Sequence, residues 1–217
     1  MALALITHHS SVDVREINYL KFINQHFMRK LILQEWISLD GFIEDKNGKL
    51  DFFTNISNDV NKYSDLDQLK FMDDVDTILL GRKTYELFVE FWPTATTDME
   101  VIADKLNSTS KLVFSNSLET APWGKWPAAE IIKGEATDKI RDLKMKEGKN
   151  MVLWGSILLA QSLMMHNLID EYHLQLCPTI LGGGKPLFPE SNNYRNMKLM
   201  ELKKYETGLI FLRYEPQ

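Results

Sequence analysis

Leu79-Leu80-Gly81-Arg82-Lys83-Thr84-Tyr85-Glu86 and, later in the chain, Val152-Leu153-Trp154-Gly155-Ser156-Ile157-Leu158-Leu159 share one pattern. Each opens on an apolar run that reads as a buried strand, then turns at a glycine into a helical pattern. A helix that starts at such a turn points unpaired backbone N–H groups and a positive dipole end beyond the strand. Two such starts in one domain can hold both ends of a phosphate-rich ligand. Arg82, Lys83 and Thr84 add cations and a hydroxyl suited to phosphate oxygens. The pair therefore predicts a dinucleotide site. One side is Gly81, Arg82, Lys83 and Thr84; the other is Trp154, Gly155, Ser156, Ile157, Leu158 and Leu159.

The flanking sequence extends this into an architecture. Met28-Arg29-Lys30 launches a strand over 31–37, followed by Ser38-Leu39-Asp40-Gly41-Phe42-Ile43 and a polar loop. Helices are expected over 58–73, with Ser57 as N-cap, and over 83–90, 98–106, 137–146 and 157–166. Strands are expected over 77–80, 111–114 (ending at Ser115-Asn116), 130–132, 151–154 and 171–177. The tail changes character. Two strands, 198–205 and 209–214, flank Glu206-Thr207-Gly208 as a hairpin. Strand–helix alternation closed by an antiparallel pair predicts an α/β fold, a mixed and mostly parallel sheet with helices on both faces. Residues 1–27 are polar and weakly periodic. They read as an N-terminal extension, with Met28 as the functional start and 28–217 as the domain; a short amphipathic helix over 14–27 is the competing reading.

Composition bounds the function. The chain has 217 residues, 44% hydrophobic and 25% charged, as expected for one soluble globular domain. A net charge of -5 argues against nucleic acid as the main partner. The single cysteine, Cys177, excludes an intrachain disulfide and a cysteine zinc cluster, and fits a reducing, cytoplasmic setting. Its apolar surroundings read as a buried strand thiol rather than a nucleophile. The five histidines form no ligand pair, so no metal site is expected. No stretch approaches the roughly 20 apolar residues that span a bilayer, so no membrane partner is expected.

The same segments, with Lys111-Leu112-Val113-Phe114-Ser115-Asn116, resemble the dihydrofolate reductase fold. More closely, the chain resembles the reductase domain of bacterial riboflavin biosynthesis and its stand-alone relatives. Further marks are Ser38-Leu39-Asp40-Gly41, Leu168-Ile169-Asp170-Glu171-Tyr172 and Pro178-Thr179-Ile180-Leu181-Gly182-Gly183-Gly184-Lys185-Pro186-Leu187-Phe188. The resemblance runs from about Met28 to the end and implies NADPH as cofactor. The turn from Gly81 to Thr84 would hold the adenosine-side phosphates, Ser115 and Asn116 would lie near the ribose 2′-phosphate, and Gly155-Ser156 would approach the pyrophosphate. Trp36 and Ile43 would lie near the nicotinamide. Dihydrofolate reductases pair two glycines at the second turn, where this chain has Gly155-Ser156.

The resemblance leaves the proton source open. Asp40 is the acidic candidate near the reaction centre, with loop bracing as its alternative role. Asp59, Asp65 and Asp67 occupy the region of the reductases' carboxylate, and none aligns with it. Trp36, Trp92, Trp123 and Trp126 suit a cleft rim, or core packing. Gly182-Gly183-Gly184 reads as a structural turn near the site rim or a subunit contact. The implied function is NADPH-dependent reduction of a small heterocycle, of pterin or ribosylamino-pyrimidine type, by a homodimer. The alternative is a non-catalytic nucleotide-binding or interaction protein that retains the fold.

Overall fold

The computed structural model describes residues 29–54, 61–190 and 195–217. The expectations for residues 1–27, the Ser57 cap and Asp59 lie outside the described residues. Among the described residues, ten strands follow one another as β1 (Leu31–Ser38), β2 (Phe42–Glu44), β3 (Val75–Gly81), β4 (Ser110–Phe114), β5 (Glu130–Ile132), β6 (Asn150–Trp154), β7 (Glu171–Cys177), β8 (Lys185–Pro186), β9 (Met197–Lys204) and β10 (Ile210–Pro216). The helices are α1 (Asp51–Thr54), α2 (Asn61–Phe71), α3 (Arg82–Phe91), α4 (Ala103–Ser108), α5 (Ala136–Lys144) and α6 (Ile157–Met165). The mixed α/β architecture read from the sequence is present, with small differences at element ends. The short helix α1 and the two-stranded β2–β8 pair were not anticipated. Both lie in loop-like sequence, and their partners are distant along the chain.

The main sheet runs in the order β5-β4-β3-β6-β1-β7-β10-β9. The six strands from β5 to β7 are parallel, and β10 is antiparallel to both its neighbours. From β3 the chain steps towards one edge, to β4 and then β5. From β6 it steps the other way, past β1 to β7. Right-handed crossovers in opposite directions put the connecting helices on opposite faces. The cores show this directly. Alternate residues of β3 and β6 divide between two clusters: Leu79 and Leu153 pack with Ile140, Leu143, Ile157 and Leu163 of α5 and α6. Ile78, Leu80, Val152 and Trp154 pack with Tyr85 of α3 and Leu106 of α4. Leu31, Leu33 and Leu153 are fully buried, and each contributes about 1.5–3 kcal/mol by leaving water. Central parallel strands covered on both faces explain the near-continuous apolar runs in the sequence.

The tryptophans divide differently from the rim expectation. Trp123 is fully buried, donates Nε1–H to Asn107 Oδ1 at 2.7 Å, and lies under the Lys111 ammonium at 4.6 Å. Trp92 and Trp126 pack against the same cluster. These three serve the core beside α3 and α4. Trp36, in the second half of β1, instead stacks on Phe53 with ring centroids 5.3 Å apart.

Candidate active site

The reversal of strand order falls between β3 and β6, and crevices at such points are where open α/β sheets bind ligands. Pairing of β6 stops at Leu79↔Leu153 on one side and at Gln34↔Trp154 on the other, while β1 continues along β7 to Ser38↔Cys177. The sheet therefore splits beyond Trp154. The two glycine turns meet across this split. Ser156 N–H donates to Thr84 Oγ1 at 2.9 Å, the Ser156 hydroxyl donates to the same oxygen at 2.9 Å, and Gly81 N–H donates to Ser156 Oγ at 2.6 Å. Gly155 has φ +54°, and a Cβ there would stand 2.9 Å from Thr84 Oγ1. Only glycine fits without strain. Ser156 follows with φ 58°, ψ 44°. A serine in this region is uncommon, and its bonds to Thr84 and Gly81 hold it there. The serine that replaces a second glycine thus fastens the two turns together.

These bonds occupy the N–H groups of Gly81 and Ser156, which the sequence reading would leave open. The first turns of the two helices remain. Neither α3 nor α6 has a side-chain cap. Ile157 is buried, Leu159 half-buried and Leu158 exposed at the start of α6. Two neighbouring uncapped helix starts, ten and nine residues long, are chemically suited to a pyrophosphate. Arg82 and Lys83 are exposed at the α3 start, with Arg82 bridged to Glu86 at 2.8 Å. At the end of β4, Ser115 Oγ accepts from Ser117 and Leu118 N–H, and Asn116 Oδ1 accepts from Gly134 N–H at 2.8 Å. Both side chains fix the loops beside the crevice.

The structure brings Asp40 into a brace. Its carboxylate accepts from the Ser38 hydroxyl at 2.7 Å and from the N–H groups of Leu181 and Gly182 at 3.1 and 2.8 Å. The Ser38 bond, with help from the two amides, holds its carboxyl below the usual range. An aspartate kept ionised is a poor proton donor, and the contacts tie the β1–β2 turn to the glycine-rich segment. There, a Cβ on Gly184 would overlap the Glu44 carbonyl at 1.9 Å, so the segment packs as a structural turn. Asp67 accepts from Lys203 and from Tyr205 Oη, which outweigh its burial and keep it ionised. Trp36 and Ile43 belong to different apolar clusters.

Two residues escaped the sequence reading. Among the described residues, the buried side-chain oxygens without a hydrogen-bond partner are Glu35 Oε1 and Gln175 Oε1. They bracket Trp36: Glu35 precedes it on β1, and Gln175 pairs with it across β7. Burial pushes the Glu35 carboxyl up to about 8, against a partial offset from the Gly155 N–H that it accepts. A neutral acid thus lies under the second glycine turn. The signal was available: Gln34-Glu35 interrupts an otherwise apolar central strand.

With this geometry in hand, the family is plain. The RibD C-terminal domain model matches residues 29–211, and the chain belongs to that family. It is 31% identical over 188 residues to the Bacillus subtilis protein YyaP, covering 86% of this chain and 94% of the relative. Among solved structures it is similar to a Shewanella protein provisionally assigned to riboflavin biosynthesis, with TM-score 0.67, 27% identity, and 87% and 99% of the two chains covered. It also shares the fold of Enterococcus faecalis dihydrofolate reductase complexed with NADP(H), with TM-score 0.52, 14% identity, and 88% and 98% covered. The dihydrofolate reductase-like fold and the reductase family are both as the motifs indicated. Among the described residues no helix is long and apolar enough to cross a membrane.

The Glu35 environment predicts a pH-dependent stability. Its folded value lies above its ordinary value near 4.5. The protonated carboxyl therefore supports the fold fully below that ordinary value, and the support is lost as pH rises through about 8. Glu35→Gln should melt higher than the parent at pH 9 and close to it at pH 5. Calorimetric melting curves that stay parallel from pH 5 to 9 would remove the buried-acid assignment.

Proposed function

We propose that this chain is an NADPH-dependent reductase of a small heterocycle of pterin or ribosylamino-pyrimidine type, acting in the cytoplasm as a homodimer. The observation that carries this reading is the joining of two uncapped helix starts across the gap between β3 and β6. When bound, NADPH supplies a hydride. The residues of the chain provide the rest. The first turns of α3 and α6 direct N–H groups at pyrophosphate oxygens. Arg82 and Lys83, with Ser115 and Asn116, meet the ribose 2′-phosphate. Glu35, neutral at pH 7, puts no negative charge beside Gly155 to oppose the phosphates. Trp36 stands where the sheet opens and gives an apolar surface for a flat ring.

The domain is taken to start at Met28, in keeping with a family match that begins at residue 29. The dimer rests on the sheet edge. Leu202 lies opposite Leu212, and Leu199 opposite Tyr214, on β9 and β10. Leu199 and Leu202 are exposed by 47% and 60%. An apolar face of this kind suits a self-complementary contact between two copies.

Calorimetric titration should show NADPH binding more tightly than NADH. Arg82→Ala should cost NADPH about 1–3 kcal/mol, as for a charge-assisted contact, and leave NADH almost unchanged. Equal affinities for the two cofactors would refute the 2′-phosphate assignment. Gly155→Val should lose NADPH binding, since its side chain would collide with Thr84 and strain the turn; normal binding would make Gly155 a mere strand terminator. In sedimentation at micromolar concentration, the species expected has twice the monomer mass, and a monomer would rule out the edge contact.

A further inference from the structure

The ladder between β1 and β6 ends at Gln34↔Trp154, so Glu35 is the first residue of β1 beyond it, next in register to Gly155. Successive side chains of a strand point to opposite faces. Gln34 bonds to Gln68 of α2, while Leu33 and Ile37, on either side of Glu35, pack with Ile157 and Leu163 of α6. Glu35 therefore turns its carboxyl to the face that α6 covers, at the second glycine turn. The carboxyl accepts Gly155 N–H. Its Oε1 is buried and has no hydrogen-bond partner.

This bond directs the last inward amide of the turn. Gly155 N–H goes to Glu35, Ser156 N–H goes to Thr84, and α6 begins its own ladder with Ala160 N–H donating to the Ser156 carbonyl at 3.0 Å. The N–H groups of Ile157, Leu158 and Leu159 precede that ladder and face out of the helix start. A phosphate held by them sits only two residues beyond the amide that Glu35 fixes.

Among the described residues, burial and the Gly155 amide set the proton affinity of Glu35, and no charged side chain contributes. α6 and β6 carry no ionisable residue. Leu174 of β7 lies opposite Glu35; Tyr172, on the same face, is the titratable group there, and burial pushes its hydroxyl up. Lys144 of α5 is held by Asp170 and the Leu168 carbonyl, near the other end of β1, where Asp170 takes Leu31 N–H. Glu44 and Lys185 of the β2–β8 pair are half-buried, and Arg82 and Lys83 of α3 are exposed beyond the turn. An acid in such a setting keeps its proton, because the ion would lie among apolar side chains with one amide to solvate it. Ionisation would strengthen the Gly155 bond, but it would also set a negative charge against phosphates at the α6 start. Those phosphates act through the same poorly polarisable interior and hold the proton more firmly.

We infer that Glu35 is a positioning residue of the cofactor site that must carry its proton while NADPH is bound, so that cofactor affinity is coupled to the protonation of this one carboxyl. The inference rests on the NADPH reading of the strand-end site.

Calorimetric titration of the full chain with NADPH from pH 7 to pH 9.5 tests it, each pH in two buffers of different ionisation enthalpy so that proton uptake is read directly. Over this range the 2′-phosphate stays ionised, since its second proton leaves at about pH 6. Affinity should hold to about pH 8 and then fall at least fivefold by pH 9.5, with up to one proton taken up per NADPH bound. Burial pulls the Lys111 ammonium, seated on the carbonyls of Leu106, Asn107 and Thr109, down to about 8 as well. Variants of Glu35 separate the two groups. Glu35→Gln, whose amide oxygen still accepts Gly155 N–H, should give a level profile with no proton uptake. Glu35→Met, which serves should the glutamine variant fail to fold, should also be level, and weaker than the parent at pH 7 because Gly155 N–H loses its partner. A level profile in the parent overturns the inference, as does a slope that survives in either variant. NADPH that binds at no pH would refute the cofactor reading and this inference with it, whereas NADPH that binds equally at pH 7 and pH 9.5 would overturn the inference alone.

Discussion

The clamp between Ser156, Thr84 and Gly81 is the constraint on which the site depends. Its three hydrogen bonds join residues more than seventy positions apart. They close the gap between strands whose ladder has already ended at Leu79↔Leu153. Without them the β3–α3 and β6–α6 turns would be two separate loops at the ends of neighbouring strands. With them the two helix starts become one surface, and the left-handed conformations of Gly155 and Ser156 are held by contacts rather than by glycine alone. Strain at such a position persists only when its surroundings over-determine it, and here Thr84 does so from across the sheet.

A second constraint shapes the other side of the split. The β1–β2 turn, the glycine-rich segment and the β2–β8 pair are bound together by the Asp40 carboxylate and by Leu187 N–H donating to the Gly41 carbonyl at 3.0 Å. Gln161 of α6 adds a bond to the Pro186 carbonyl at 3.0 Å. This fixes the wall beside the α6 start. The acidic residue that looked catalytic in the sequence therefore serves the geometry of the site. The buried acid closest to the second glycine turn is Glu35, whose neutrality follows from burial.

Polar residues inside the sheet mark where stability has been set aside. Gln34, Glu35, His173 and Gln175 occupy positions that a purely structural sheet would fill with valine or isoleucine. Gln34 and His173 are satisfied within the protein, and Glu35 and Gln175 each keep an unpaired oxygen. Cys177, by contrast, is fully buried with its thiol pushed up to about 12, as an inert packing group would be.

The sequence by itself determined the alternation of strands and helices, the antiparallel tail, the two glycine turns and hence the family. Those features are local: periodicity, turn glycines and helix-start chemistry act over a few residues. It also carried the unusual Gln34-Glu35 within β1, although nothing in the sequence told what that pair met. Tertiary structure alone decided that Ser156 would fasten to Thr84, that Asp40 would brace a loop, and that Trp123 would sit in the core while Trp36 stacks on Phe53. It also decided which polar groups stay unpaired. The physical reason is that a hydrogen bond or burial state belongs to a pair of residues brought together by the strand order β3-β6-β1-β7. That order is settled by crossover direction and by packing on two faces, and no single window of sequence contains it.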